Sequence, residues 1–302
     1  MRIRKFEWTD LEVVTCLFNE IGGASGTPME LDIEGMRGML TVPGCDPERH
    51  CFIAEEDSGK AVGYSLVSYE PPISRAVAGG GVLHEHRGKG IGRALMRRVV
   101  EHAEELGVSS LHVEASVTHS DMQHLLSRHG MDVVRSLWKM RWQCGDVPEV
   151  NLPSGFAVRS LVAGQDEEVL TELQNVAFGE NWGFSPNTVE QIRVRVESNR
   201  GGPESIIFIT EDGKPAAYNW TMFYPDDVSP SGVVAMTGVH PDYRGRGIGR
   251  AVVTAGIAYL VERGASFVDL EVDADNTPAR ELYLNLGFRK VGRSVWYEKR
   301  FR

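Results

Sequence analysis

The 302-residue chain has no apolar run approaching the ~20 residues that a bilayer span needs. Its start, MRIRKFEWTD, also lacks the apolar core of a secretory signal. No membrane partner is therefore expected, and the cytoplasm is the expected location. Cysteine is scarce. Cys16, Cys45, Cys51 and Cys144 form no CxxC pair, and the nine histidines build no zinc-like cluster with them. The thiols are expected to be free and structural, and no metal is expected. Cations are in deficit as well: 32 Lys and Arg stand against 42 Asp and Glu, a net charge of −10. A nucleic-acid backbone is not expected as the main partner, because such binders place cations on phosphates. The same charge is compatible with a cationic substrate.

What is present fits globular folding, with 42% hydrophobic and 25% charged residues in a length sufficient for two domains. RGKGIGRAL at 87–95 returns as RGRGIGRAV at 244–252, an offset of 157 residues between positions 87 and 244. The register persists without a gap: Glu105 meets Glu262, Ser109 meets Ser266, Glu114 meets Glu271, and Gly130-Met131 meets Gly287-Phe288. A period this long means a duplicated domain rather than a solenoid. The boundary falls in CGDVPEVNLPSGF, 144–156, which has two prolines, two glycines and little periodicity. Two domains are expected, at 1–146 and 153–302.

Each half reads as a mixed α/β domain. A short strand (MRIRKF; FAVRSL) precedes a helical segment (DLEVVTCLFNEI; DEEVLTELQNVAF), the latter with Val169, Leu170, Leu173 and Val176 at helical intervals. Hairpins are expected around DSGK and EDGK. GVVAMTGV reads as a strand, and RALMRRVVEHAEELG and RAVVTAGIAYLVERG as helices closed by glycine. SSLHVEA and SFVDLEV are strands, PARELYLNLGF is a last helix, and SVWYEKRF lies on a last strand.

The glycine stretch sits where a strand gives way to a helix. Gly245, Gly247 and Gly249 remove Cβ atoms and allow positive φ. Successive N–H groups, joined by the unsatisfied first-turn N–H groups of the helix, can then converge on an anion such as a pyrophosphate. Arg244, Arg246 and Arg250 add positive charge. It is not a P-loop, since no Gly-Lys-Ser/Thr follows, and neither Rossmann spacing nor an acidic ribose-binding residue is evident.

The pattern Arg-x-x-Gly-x-Gly, at Arg244/Gly247/Gly249 and Arg87/Gly90/Gly92, resembles the acyl-CoA pyrophosphate loop of the GNAT acetyltransferase superfamily. MTGVHPDYRGRGIGRAV and LEVDADNTPARELYLNLGF are similar to that family as well, so the resemblance covers essentially the whole second half. In the first half it holds for the loop and its helix. It implies an α/β fold with a mixed sheet in two tandem domains, and acetyl-CoA as cosubstrate. It further implies that Thr237, Gly238 and Val239 hold the acetyl carbonyl and pantetheine arm. The residues Arg244, Gly245, Arg246, Gly247, Ile248, Gly249 and Arg250 would hold the pyrophosphate. Asn276 would lie against the pantetheine, and Tyr283 near the sulfur. The equivalent first-half group is Arg87, Gly88, Lys89, Gly90, Gly92 and Arg93.

Amide formation needs two proton steps. Amines with pKa near ~8 or ~10.4 are mostly protonated at neutral pH, and the departing thiolate benefits from a proton. Tyr283 fits the acid role by motif position. Glu271, 12 residues earlier on a strand, is the base candidate, a spacing that resembles ribosomal-protein alanine acetyltransferases. Ordinary packing of the tyrosine and a solvated carboxylate are the alternatives. The first half places His119 opposite Asn276 and Leu126 opposite Tyr283, so it lacks the proton donor. His84 and His86 are expected to be ordinary loop histidines. Catalysis is therefore expected in the second half, on an amine of a small molecule or peptide, by a monomer or homodimer. A non-catalytic acetyl-CoA sensor and a dimerisation scaffold are the rival readings.

Two fused domains with activity in the second also resemble mycothiol synthases, as does LQNVAFGENWGFSPNTVEQ at 173–191. That family carries a glutamate where Val233 stands here. GENWGFSPN, 179–187, is an expected acceptor-side loop. Trp182, Phe184 and Trp220 are candidates for its lining, with core packing the more ordinary role.

Overall fold

The structure, a computed structural model, describes residues 1–23, 30–143, 145–226 and 228–301. Cys144 lies outside them; Cys16, Cys45 and Cys51 are free thiols. The first half runs β1 (Arg2–Lys5), α1 (Leu11–Gly23), α2 (Ile33–Leu40), α3 (Pro47–His50), β2 (Cys51–Glu55), β3 (Ala61–Glu70), β4 (Arg75–Val82), α4 (Ile91–Leu106), β5 (Ser110–Ser116), α5 (Ser120–Arg128) and β6 (Asp132–Gln143). The second repeats the order, with a 3-10 turn (Pro203–Ser205) in place of α3. It runs β7 (Phe156–Ser160), α6 (Glu167–Phe178), α7 (Val189–Glu197), β8 (Ile206–Glu211), β9 (Lys214–Tyr224), β10 (Ser231–Val239), α8 (Ile248–Glu262), β11 (Phe267–Asp273), α9 (Thr277–Asn285) and β12 (Arg289–Arg300).

The duplication extends to details outside the 157-residue register. Arg4 makes paired bonds to Asp10 at 2.6 and 2.7 Å, and Arg159 does the same to Asp166 at 2.6 and 2.9 Å. Each ties a first strand to the start of a first helix. After that helix an asparagine amide brackets one backbone position. Asn19 bonds both Leu31 N–H and C=O, and Asn175 bonds those of Asn187. The EDGK turn has positive φ at both Asp212 and Gly213, as a two-residue type I′ hairpin requires.

The boundary differs from the expected 1–146 and 153–302. One compact unit is Met1–Ser136 with Ser294–Arg302, and the other is Leu137–Arg293. The cause is an exchange of last strands. In the first unit β5 pairs antiparallel with β12, from Ser294↔Ser116 to Arg300↔Ser110. In the second, β11 pairs antiparallel with β6, from Phe267↔Gln143 to Asp273↔Leu137. The first sheet therefore runs β1-β2-β3-β4-β5 and then residues 294–300; the second runs β7-β8-β9-β10-β11 and then residues 137–143. Alternation fixes which face each borrowed strand buries. Met140 and Trp142 enter the second unit's core, Val295 and Tyr297 the first's.

Helices cover both faces of the second sheet. Leu170 and Leu173 of α6 and Ile192 and Val196 of α7 pack with Phe208, Tyr218 and Trp220. Val176, expected on the apolar stripe of α6, is instead 48% exposed. On the other face α8 packs with α9, Val268, Leu270 and Val272. This helix is apolar nearly all round, which requires burial all round. Residues 145–155 help to supply it: Val147, Val150 and Leu152 pack against the α8 core although these residues form no helix or strand.

Candidate functional site

The two middle strands of the second sheet part company. β10 pairs with β9 along its whole length, from Ser231↔Tyr224 to Val239↔Ala217, with a bulge between Val234 and Met236. Its parallel pairing with β11 ends at Val234↔Leu270. Residues 235–239 thus turn one polar backbone edge to an opening between strands, and backbone groups at such an edge need partners. The first unit has the same early parting, with β4 leaving β5 after Ala78↔Val113, but its β3–β4 pairing is unbroken. Gly79, Gly80 and Gly81 stand where the second unit has Met236, Thr237 and Gly238.

Beyond β10, a short 3-10 turn (Pro241–Tyr243) leads into the glycine loop. Gly245 and Gly247 have φ of +76° and +80°, and Gly88 and Gly90 have +76° and +85°. A Cβ at any of the four would meet nothing within 4 Å, so these glycines serve backbone conformation and open approach rather than internal packing. Gly247 is the N-cap of α8 and no side chain caps it. The Ala251 N–H is the first to reach back, to Gly247 O at 3.1 Å. The N–H groups of Ile248, Gly249 and Arg250 precede that bond. Ala94 and Gly90 repeat this geometry at α4, also at 3.1 Å. Both mouths fit a diphosphate: uncapped N–H groups, open space and the positive end of a helix.

The arginines divide by role. Arg244 donates to Val239 O at 3.3 Å and to Ala177 O at 2.9 Å, bracing the loop on β10 and α6. Arg87 likewise donates to Val82 O at 3.1 Å. Arg246 is exposed over the Tyr243 ring, 5.3 Å from its centroid, and Arg250 reaches Asn285 O at 3.4 Å. Lys89 and Arg93 are exposed. Gly249 lies against Val239 and Leu282, and Gly92 against Leu125 and Val82. A Cβ at Gly238 would overlap the Tyr218 ring, so that glycine lets Tyr218 press on the strand. His86 is buried and bonds Glu56 at 2.8 Å, a packing role; His84 is exposed.

Tyr283 on α9 is buried within the α8 core, edge-on to Phe288 at 5.7 Å between centroids. Burial pushes its phenol above the ordinary tyrosine range, and the facing Thr237 hydroxyl draws it partly back. The first unit's Leu126 is fully buried in the equivalent core and offers only packing. Asn276 caps α9, its side chain accepting from Ala279 N at 3.2 Å. Glu271 points to the face opposite Leu270 and Val272. It is exposed and ion-paired with Lys139 Nζ at 3.1 Å. Lys139 sits directly opposite it on β6, whereas Glu114 in the first unit is opposite Trp296.

On the α6 side, Phe184 stacks on Phe178 at 5.8 Å, while Trp182 is 39% exposed. Trp220 is a core residue that donates to Asn199 Oδ1 at 2.8 Å. The loop is pinned from within: Asn187 donates to Gln174 Oε1 and accepts from Arg195.

Sequence reasoning missed Lys139 and Asn219. Lys139 comes from the borrowed strand, which no local pattern signals. Asn219 is fully buried on β9 and donates to Thr237 Oγ1 at 2.7 Å. A polar residue amid the apolar alternation of KPAAYNWTMFY is the signal that could have found it.

A family model described as the acetyltransferase (GNAT) family matches residues 25–131 and 168–288. A mycothiol acetyltransferase of Pseudarthrobacter chlorophenolicus is 32% identical over 255 residues, 82% of this chain and 78% of that protein. One of Streptomyces bingchenggensis is 31% identical over 254 residues, 82% and 80%. Among solved structures, a GCN5-related N-acetyltransferase of Sphaerobacter thermophilus aligns with a TM-score of 0.74 at 24% identity, covering 100% of this chain and 96% of that one. A tandem GNAT protein from the clavulanic acid biosynthesis pathway aligns at 0.76 with 17% identity, covering 99% and 98%. These two structures share the tandem fold.

Proposed function

The chain belongs to the acetyltransferase (GNAT) family, and from that premise we propose that its second unit moves an acetyl group from acetyl-CoA to a primary amine of a small molecule or peptide. One observation carries the reading. The second unit joins an open glycine mouth to a phenol buried in the core under the same helix, and the first unit has the mouth with leucine in place of the phenol.

Amides of the α8 mouth take the diphosphate, and the freed edge of β10 takes the pantetheine and acetyl carbonyl by backbone hydrogen bonds. The thioester then lies beneath Tyr283. Glu271, a carboxylate ion-paired with Lys139, accepts the proton that the amine must lose. Tyr283 gives its proton to the sulfur as the carbon–sulfur bond breaks. Its raised pKa keeps it protonated at neutral pH. Holding both substrates in one cleft supplies much of the remaining acceleration. The first unit is non-catalytic, and its own glycine mouth is suited to holding a second acetyl-CoA.

A narrower acceptor is the cysteinyl amine of an amino-sugar thiol precursor. The name shared by the relatives above favours it. Val233 on β10 offers no carboxylate, so on this reading Glu271 carries the base role alone. The test is release of free CoA with cysteinyl amino sugars, amino acids, N-terminal peptides, polyamines and aminoglycosides as acceptors. Tyr283→Phe is expected to cut kcat by about 100-fold or more while acetyl-CoA binding persists. Full turnover in that variant sinks the catalytic assignment. Turnover of polyamines but not of cysteinyl compounds sinks the narrower one.

A further inference from the structure

We infer that Lys139 is a specificity-determining residue: its ammonium, beside the Glu271 carboxylate, recognises the uncharged carbonyl that adjoins the acceptor's amine-bearing carbon, as in an aminoacyl amide or a peptide N-terminus. The inference deepens the reading above and rests on Glu271 meeting the acceptor amine.

Position comes first. β10 and β11 stay paired as far as Val234↔Leu270, and Glu271 is the next residue of β11. The carboxylate therefore stands where the strands part. Lys139 is its antiparallel partner on β6, with Nζ 3.1 Å from Glu271 Oε1. Both residues belong to the second compact unit. The stem of Lys139 passes close to Gly292, where an added Cβ would touch its Cβ, Cγ and Cδ at 3.5–3.8 Å.

Two ion-pair rungs cross β11 and β6 on this face of the sheet, and they differ in kind. Arg141 donates to both oxygens of Asp269, at 2.7 Å each, and its guanidinium lies 3.8 Å from the Phe267 ring centroid. Such a matched fork engages both carboxylate oxygens, and the ring covers it. Lys139 and Glu271 meet through one nitrogen and one oxygen, and their side chains are 37% and 43% exposed. An ammonium has three donors and a carboxylate about four lone-pair sites. The Asp269 rung is a closed brace, whereas the Glu271 rung has donors and acceptors to spare beside the opening.

The open rung matches a bifunctional ligand. It presents a donor and an acceptor 3.1 Å apart. In an aminoacyl group the amine nitrogen and the carbonyl oxygen, when on the same side, are also roughly 3 Å apart by covalent geometry. The amine meets Glu271, the carbonyl oxygen accepts from Lys139, and two contacts fix the amine's orientation where one would not. A free carboxylate fits less well: Glu271 already balances the Lys139 charge, and a second anion would lie beside the first. The first unit has no ammonium at this rung, since Trp296 stands opposite Glu114.

Serinamide and ethanolamine test the inference as a matched pair of acceptors. They differ by the carboxamide alone, and neither carries a thiol that would exchange with acetyl-CoA. N-acetyl products are measured by mass spectrometry at saturating acetyl-CoA for the parent, Lys139→Met and Lys139→Arg. The ratio of kcat/KM between the two acceptors, compared across enzymes, cancels their different basicities and any general loss of folded protein. A charged donor to a carbonyl, weakened by partial exposure, predicts that Lys139→Met lowers the ratio about 5- to 10-fold through KM for serinamide. KM for acetyl-CoA should not move, and Lys139→Arg should restore most of the preference. An equal ratio in the parent and Lys139→Met overturns the inference, as does a parent enzyme that leaves serinamide unacetylated. Serine used better than serinamide overturns the choice of an uncharged carbonyl. Full turnover in Glu271→Gln sinks the underlying assignment of the base, a separate result.

Discussion

Paired substitutions at Gly247 and Gly90 put the division of labour between the units to a direct test. The two positions are nearly superimposable in conformation, with φ and ψ of +80° and −5° against +85° and −2°. A Cβ at either site meets no protein atom within 4 Å, so replacement by alanine carries only the cost of a left-handed backbone, roughly 1–2 kcal/mol. The smaller freedom of unfolded alanine offsets part of this, by about 0.4–1 kcal/mol. The net loss is about 1 kcal/mol in each variant, or about 2–4 °C in Tm for a domain of this size. Activity should not divide so evenly. On the proposed binding mode, a methyl group at Gly247 stands in the mouth through which diphosphate oxygens reach the α8 amides. Losing one charge-assisted hydrogen bond of about 1.5–3 kcal/mol raises KM for acetyl-CoA by about 10- to 100-fold. Gly90→Ala should leave KM and kcat within about twofold of the parent. Calorimetry gives the first comparison and CoA release kinetics the second. Unchanged KM in Gly247→Ala refutes the anion mouth. Loss of turnover in Gly90→Ala refutes a catalytic second unit.

Acid should weaken the first unit through a buried histidine pair. His50 Nδ1 and His102 Nε2 lie 2.7 Å apart, and His102 also meets Glu105, itself held by Arg98. Desolvation lowers both imidazole pKa values, helped at His50 by His102 and only partly offset at His102 by the hydrogen bond to Glu105. The unfolded chain therefore binds protons first, so stability is full above pH ~6.5 and falls as pH drops below it. Each excluded proton costs up to about 1.4 kcal/mol per pH unit. Urea midpoints at pH 7.5 and 5.5 should differ, and His102→Gln should shrink the difference; an equal difference in that variant rejects the pair as its source. A second expectation concerns dissection. The fragment 153–302 lacks residues 137–143 and leaves β11 an open edge, together with the loss of the Arg141–Asp269 pair at 2.7 Å. It should aggregate or exchange its β11 amides rapidly in hydrogen exchange, whereas a well-protected β11 in that fragment would show the borrowed strand to be dispensable.

Much of the site was legible because its signals are local. Glycine at 245 and 247 foretells positive φ, and both glycines have it, since only a missing Cβ makes that conformation inexpensive. The helix after the loop and its glycine stop follow from spacing alone. Motif position singled out Tyr283, but its surroundings were not legible: its burial in the α8 core beside Phe288 is decided by how α9 packs. Charge at Arg244 suggested an anion contact, yet its guanidinium is spent on carbonyls of Val239 and Ala177. A composition argument sees the charge and cannot see which oxygens are nearer. Val176 fits the helical stripe and is nevertheless exposed, because the width of a buried stripe is set by what packs on it.

By itself the sequence determined that one α/β plan is used twice, where each strand turns through its glycine loop into a helix, and that only the second copy carries a phenol on its last helix. These are properties of short stretches, fixed by backbone sterics and side-chain chemistry. Tertiary structure alone decided which half owns each last strand. The alternating pattern of β6 or β12 states which face is buried, and either pattern can lie against β5 or β11. Choosing between them is a contest of packing between distant segments, and its outcome set Lys139 opposite Glu271.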